Sequence, residues 1–177
     1  GLAGTILDLG CGPCDVTVRL ARRFPRAVFD AVDGAEAMLA LGRGRVAAEG
    51  LADRIRPVRA VLPHDPPPRP AYDGVVSNSL LHHLHDPAVL WDAVVRHAKP
   101  GAPVFVMDLR RPASVDEARR LVDAYAAGAP PVLRRDFLHS LCAAFTPEEV
   151  RAQVRAAGLA LDVVAVGDRH LVAQGRR

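Results

Sequence analysis

Thr5-Ile6-Leu7-Asp8-Leu9 is a short, mostly apolar run that breaks abruptly at Gly10-Cys11-Gly12-Pro13-Cys14. A run of this kind, bounded by turn residues, reads as a strand buried on both faces. The two glycines allow a tight turn and a close backbone approach to a ligand. A helical pattern follows at once, with Val16, Leu20 and Phe24 at spacing four, and Pro25 ends it. Strand, glycine turn, helix is the opening of a βαβ unit. Ala27 to Val32 reads as the second strand, Glu36 to Glu49 as a helix weakened by Gly42 and Gly44, and Arg54 to Arg59 as a short third strand.

Prolines in Pro63-His64-Asp65-Pro66-Pro67-Pro68-Arg69-Pro70 force a loop. Beyond it come a strand at Gly74 to Ser77, a helix from Pro87 to His97 whose Leu90, Trp91, Val94 and Val95 form a core-facing side, a stop at Lys99-Pro100-Gly101, and a strand from Pro103 to Asp108. Val115 to Ala127 is helical until Ala129-Pro130-Pro131. Thr146-Pro147-Glu148-Glu149 caps a further helix that ends at Gly158. Leu159 to Val166 and His170 to Ala173 flank a Gly167-Asp168 turn and read as a closing hairpin. The expectation is one α/β domain over 1–177, Rossmann-like and doubly wound, with a mostly parallel seven-stranded sheet that ends in an antiparallel hairpin.

The composition agrees. Half of the 177 residues are hydrophobic but only 5% are aromatic, which excludes disordered and collagen-like chains. No apolar run reaches the length of a membrane span. The 23 Lys+Arg against 20 Asp+Glu leave a net charge of +3, all but Lys99 of the cations are Arg, and they are scattered in pairs. No basic run with interleaved aromatics supports nucleic-acid binding. Three cysteines and no visible export signal point to free thiols in a reducing compartment, the cytoplasm.

In a doubly wound sheet, ligands bind beyond the carboxyl ends of the strands. A lone Gly-x-Gly is weak evidence for one. Here, however, the second strand ends in Val32-Asp33, where a carboxylate accepts hydrogen bonds from ribose hydroxyls. A nucleoside ligand is indicated. A dinucleotide is disfavoured, because Asp15 stands where its fingerprint needs a sixth-position Gly and Asp8 would face the pyrophosphate. A cationic sulfonium ligand with an ammonium group suits Asp8 much better.

Taken together, these segments resemble the class I S-adenosylmethionine-dependent methyltransferases of the small-molecule type. Ile6 to Pro13 matches that family's first motif and Val32-Asp33-Gly34-Ala35-Glu36-Ala37-Met38-Leu39 its second. Tyr72 to Leu84, with Leu81-His82-His83-Leu84, resembles the fourth-strand motif, and Lys99-Pro100-Gly101 followed by a strand ending in Asp108 resembles the fifth. The resemblance implies that S-adenosylmethionine is held by Asp8, Gly10, Cys11, Gly12, Asp33, Gly34, Met38, Asn78 and Ser79. It implies in-line transfer of its methyl group to a small organic acceptor. His82 and His83 are the candidates for a general base.

Three departures stand out. Cys14 replaces the family's Gly and should crowd the start of the first helix. Arg59-Ala60-Val61-Leu62-Pro63 lacks the Asp-Ala pair that holds adenine, which leaves that contact to backbone groups of Ala60 and Val61. The helices that precede motif one as a lid have no counterpart before Thr5, so the lid is absent, lost or supplied by a partner. Ser77-Asn78-Ser79-Leu80 replaces the Asn/Asp-Pro-Pro-aromatic of enzymes acting on DNA adenine or protein glutamine. RNA stays open as an alternative acceptor, as does a non-catalytic nucleoside-binding module; an NAD(P)-dependent oxidoreductase is disfavoured. Ala129 to Phe145, with Asp136, Phe137, His139 and Ser140, lies where acceptor recognition is expected. Cys11-Gly12-Pro13-Cys14 spells the thioredoxin tetrapeptide but lacks that family's preceding Trp. No metal is expected from His64, His82, His83, His85 and Asp86, since adjacent histidines rarely point at one ion.

Overall fold

β1 (Gly4–Leu9) is buried on both sides: Ile6 enters one apolar layer while Leu7 and Leu9 enter the other. The computed structural model, which describes residues 1–177, places β1 beside β2 (Ala27–Asp33) and β4 (Gly74–Asn78) in a seven-stranded sheet of order β3-β2-β1-β4-β5-β7-β6. β3 is Ile55–Arg59, β5 Pro103–Leu109, β6 Leu161–Val166 and β7 His170–Arg176. The first five strands are parallel. β7 runs against both β5 and β6 and lies between them. The strand order reverses between β1 and β4, which opens a crevice at their carboxyl ends.

Two helical layers cover the sheet. α1 (Asp15–Arg23) and α2 (Glu36–Ala48) pack Val18, Ala21, Leu39 and Val46 over Ile6, Phe29 and Ile55. α3 (Ala88–His97) and α6 (Pro147–Ala156) bring Leu90, Trp91, Val94, Val150 and Val154 onto Leu7, Val75, Val104 and Val106. The Trp91 indole donates to Gln153 Oε1 at 3.0 Å, so its single polar atom is satisfied. The Thr146 capping box forms as the sequence predicts. No helix is long and apolar enough to cross a membrane.

Two elements differ from the sequence reading. α4 (Val115–Tyr125) ends ahead of a turn over 126–129, and Pro130-Pro131, read from sequence as a break, opens another helix, α5 (Pro131–Ala143). Proline lacks an N–H that the first helical turn leaves free anyway, so it starts a helix as readily as it stops one. α4 and α5 share a small core of Leu109, Ala118, Leu121, Val122, Leu141 and Ala144. A single 3-10 turn, Leu81–His83, follows β4.

The proline-rich crossover from β3 to β4 carries no helix and is fastened by Asp30, which is 3% exposed. Its carboxylate accepts from Arg56 Nε at 3.0 Å, Arg69 Nε at 2.9 Å and the Tyr72 hydroxyl at 2.9 Å. Burial first, and then the neighbouring Asp30, hold the Tyr72 phenol above its ordinary range.

Candidate cofactor and active site

Gly10, the first residue after β1, has φ +71°, and a Cβ there would lie 2.8 Å from the Cβ of Leu80. Only glycine meets both demands. Gly12 also has a positive φ, +51°, and nothing lies within 4 Å of a Cβ placed on it. The turn therefore adjoins open space rather than packed protein. Cys14 caps α1 in the left-handed conformation, φ 60°, and is fully buried. A Cβ on Gly42 would come within 2.9 Å of its Sγ, so the glycine that weakens α2 makes room for the cysteine that departs from the family pattern.

Asp33, at the end of β2, ties two loops together. One carboxylate oxygen accepts from Gly12 N and the other from Ala35 N, both at 2.8 Å. Each oxygen keeps capacity to accept from a ligand. Asp8 is 2% exposed and accepts from the Thr17 hydroxyl at 2.5 Å. Burial raises its carboxyl from the usual 3.8 to about 6; the Thr17 hydrogen bond opposes that rise and the charge of Asp33 adds to it.

A cavity of about 450 Å³ opens over this turn. Asp8, Gly10, Cys11 and Gly12 line it from the first loop, Asp33 and Met38 from the second, and Asn78, Ser79 and His83 from the segment after β4. A second cavity of about 180 Å³ shares Gly10, Asp33 and Leu80 and is lined by Gly34, Ala60, Val61, Leu62 and Leu84. Every residue that the sequence assigns to the cofactor thus lines one of two adjoining spaces. The expected backbone contacts are only partly free, because Ala60 N already donates to Asp33 O at 3.0 Å and Val61 N to Asp65 Oδ2 at 2.9 Å. Pro13, Asp15, Val16 and Leu80 complete the larger wall. Leu80 has no signal in a local reading, since its role is to abut a glycine seventy residues away in sequence.

The histidine pair is divided. His83 lines the cavity, and burial together with the neighbouring His82 holds its imidazole below the ordinary value, so the ring is neutral at working pH. His82 is not among the residues that line the cavity, so of the two candidates His83 is the one that meets it. Its side chain is 4% exposed, with Nδ1 2.6 Å from Asp108 Oδ1. Asp108 also accepts from Leu81 N and Leu109 N at 2.7 Å, so it clamps the 3-10 turn to the end of β5. The two rings lie 4.0 Å apart, tilted by 39°. His82 and Asp108 thereby position the turn that presents His83.

α5 packs beside this turn, with Phe137 half-buried and Asp136 and His139 exposed. Arg110 and Arg111 do not line the cavity: Arg110 donates to Asp168 O at 2.8 Å and Arg111 pairs with Glu149. Cys11, Cys14 and Cys142 are free thiols.

Residues 6–101, more than half of the chain, match the family described as "Methyltransferase domain". Trans-aconitate 2-methyltransferase of Methylobacterium nodulans is 30% identical over 162 residues, covering 89% of this chain and 58% of that protein. The enzyme of the same name from Variovorax paradoxus is 34% identical over 145 residues, covering 78% of this chain and 52% of its own length. The chain therefore spans about half the length of the curated relatives it matches. A crystal structure of a SAM-dependent methyltransferase from Aquifex aeolicus superimposes with TM-score 0.76 at 20% identity, covering 99% of this chain and 84% of that one, and so shares the fold. With the matched residues running from β1 to the turn before β5, and with the glycine turn and Asp33 among them, the chain belongs to the methyltransferase domain family.

Proposed function

We propose that the chain binds S-adenosylmethionine in the paired cavities and transfers its methyl group to a small organic acceptor. One observation carries the reading. The larger cavity is lined by three carboxylates, Asp8, Asp15 and Asp33, and by no Lys or Arg; Asp15 is paired with Arg45, which leaves Asp8 and Asp33 as its unpaired acids. Such a wall repels a pyrophosphate and attracts a cation, and it does so strongly where burial lowers the effective dielectric. The ligand brings a sulfonium and an ammonium group, and its ribose hydroxyls are donors that the free lone pairs of Asp33 can accept. The smaller space, lined by Val61, Leu62, Leu80 and Leu84, suits the flat face of a heterocycle. Gly12 fits as the point of closest backbone approach, where a side chain would occupy open space.

S-Adenosylmethionine supplies a methyl group on a positively charged sulfur, and the protein's task is to align an acceptor behind it. Reacting atoms need to be held about 3–3.5 Å apart. His83, neutral and on the cavity wall, takes the proton that an oxygen or nitrogen acceptor loses, while His82 and Asp108 hold the turn. The Leu81-His82-His83-Leu84 run and the relatives' names, trans-aconitate 2-methyltransferase, support the small-molecule class. Free thiols support a reducing compartment, the cytoplasm.

Calorimetric titration with S-adenosylhomocysteine, NAD and NADP tests the proposal. Binding of the first alone is expected; tighter binding of either dinucleotide overturns it.

A further inference from the structure

The thiols of the first turn are not used by methyl transfer. Cys11 and Cys14 flank Gly12-Pro13, and their Sγ atoms stand 3.9 Å apart. Cys14 N donates to Cys11 O at 3.0 Å, so the turn already folds the two residues toward each other. A disulfide needs the sulfurs at about 2.05 Å, a closure of roughly 2 Å. The two sulfurs are not equally free to move. Cys14 is fully buried, with its Sγ seated in the space that Gly42 leaves in α2. Cys11 lines the cavity. Cys14 is thus the fixed partner, and closure falls to Cys11, through its side chain and the turn that carries it; the next residue in that turn is Gly12, whose N–H holds Asp33 at 2.8 Å.

We propose that Cys11 and Cys14 are a site of reversible oxidation whose disulfide form weakens cofactor binding by pulling Gly12 away from Asp33. The proposal rests on the reading that the cavity binds S-adenosylmethionine. This is a modification of the chain itself, distinct from a thioredoxin-like activity on other proteins. The oxidant is a small peroxide able to enter the cavity. The Cys11 sulfur, once it has lost its proton, attacks hydrogen peroxide, breaking the O–O bond to give a sulfenic acid and a hydroxide that takes up that proton as one water. Cys14 sulfur then attacks Cys11 sulfur, forming the S–S bond and expelling the hydroxyl, which leaves as a second water with the Cys14 proton. Two thiols lose two electrons and the peroxide gains them. The hydrogen bond from Cys11 lowers the Cys14 thiol, in keeping with its place at the start of α1, and so favours the second step. The same contact, with burial, raises Cys11 and makes the first step the slow one. By linkage, a ligand that binds the dithiol form better also disfavours the disulfide at equilibrium, and by filling the cavity that Cys11 lines it keeps peroxide from the thiol.

The test uses the whole chain with the exposed third thiol removed, Cys142→Ser. The protein is treated with hydrogen peroxide for several hours. Mass spectrometry should show a product two hydrogens lighter, with both thiols lost to alkylation and restored by dithiothreitol. Affinity for S-adenosylhomocysteine should fall more than about tenfold on oxidation and recover on reduction. Saturation with the ligand beforehand should slow thiol loss. In the Cys14→Ser, Cys142→Ser double variant, peroxide should produce no two-hydrogen loss and no such fall in affinity; the same fall there would overturn the disulfide as its cause. A disulfide form that binds as tightly as the dithiol overturns the gate and leaves the cofactor reading intact. Reduced protein that fails to bind overturns the cofactor reading and the gate with it.

Discussion

Asp8 and Asp33 are both carboxylates at strand ends beside one cavity, yet their surroundings give them different work. Asp33 is held by two backbone N–H groups and lines the cavity with lone pairs to spare. Asp33→Ala should remove about two charge-assisted bonds, worth roughly 1.5–3 kcal/mol each at most, and calorimetry with S-adenosylhomocysteine should show an affinity loss of at least tenfold. Asp8 is buried and protonates near pH 6 in the free protein. A ligand ammonium beside it favours the ionised form, so binding releases a proton. Affinity should rise by up to about tenfold per unit as pH increases toward 6 and level off above about 7. A flat profile in wild type, or an unchanged slope in Asp8→Asn, would count against the contact. Stability has the opposite sign. The folded state holds this proton more tightly than the unfolded chain, so the contribution of Asp8 is fully present below pH 3.8 and is lost as pH rises through about 6.

At the level of elements, the α1–α2 contact turns on one glycine. Gly42 lowers the helix propensity of α2, yet a Cβ there would press on the buried Cys14 sulfur at 2.9 Å. Gly42→Ala should therefore destabilise the protein by about 1–2 kcal/mol in urea melts, since overpacking outweighs the helical gain. In a Cys14→Gly background the same change should be neutral or stabilising by up to about 1 kcal/mol. This coupling was not legible in the sequence, where Gly42 reads as a flaw and Cys14 as crowding, because the two meet only in the fold. The division between the two histidines was hidden for a similar reason. Their adjacency was plain, but what sends them apart is the carboxylate of Asp108, twenty-six residues beyond His82 in sequence and brought close by the pairing of β4 with β5. α5 was hidden because Pro130-Pro131 reads as a break, whereas here it supplies the N-cap and first residue of a helix. Local glycine and acid positions were legible because strand ends and turns are set by nearest neighbours.

Across the whole molecule, the order of strands and helices over β1 to β5 was readable because the central strands β1 and β4 are apolar and buried and each turn carries its own glycine or proline. The crossover between β3 and β4 was legible as a loop, but its fastening was not. Asp30→Ala should cost about 2–3 kcal/mol, and Tyr72→Phe, which leaves both arginines in place, about 1 kcal/mol. Urea unfolding of both variants checks the order; equal effects would deny Asp30 its central role. The final hairpin was expected, but not that its second strand would lie inside the sheet, paired with β5 on one side and β6 on the other. That placement imposes an order on biosynthesis. While the chain emerges from the ribosome, β3, β2, β1, β4 and β5 can assemble as translated, but β6, though made earlier than β7, has no place to dock until β7 arrives. For that interval the edge of β5 is an open template for foreign strands. A chain cut before His170 stays in that exposed condition and should be recovered mainly in the insoluble fraction, however intact its glycine turn.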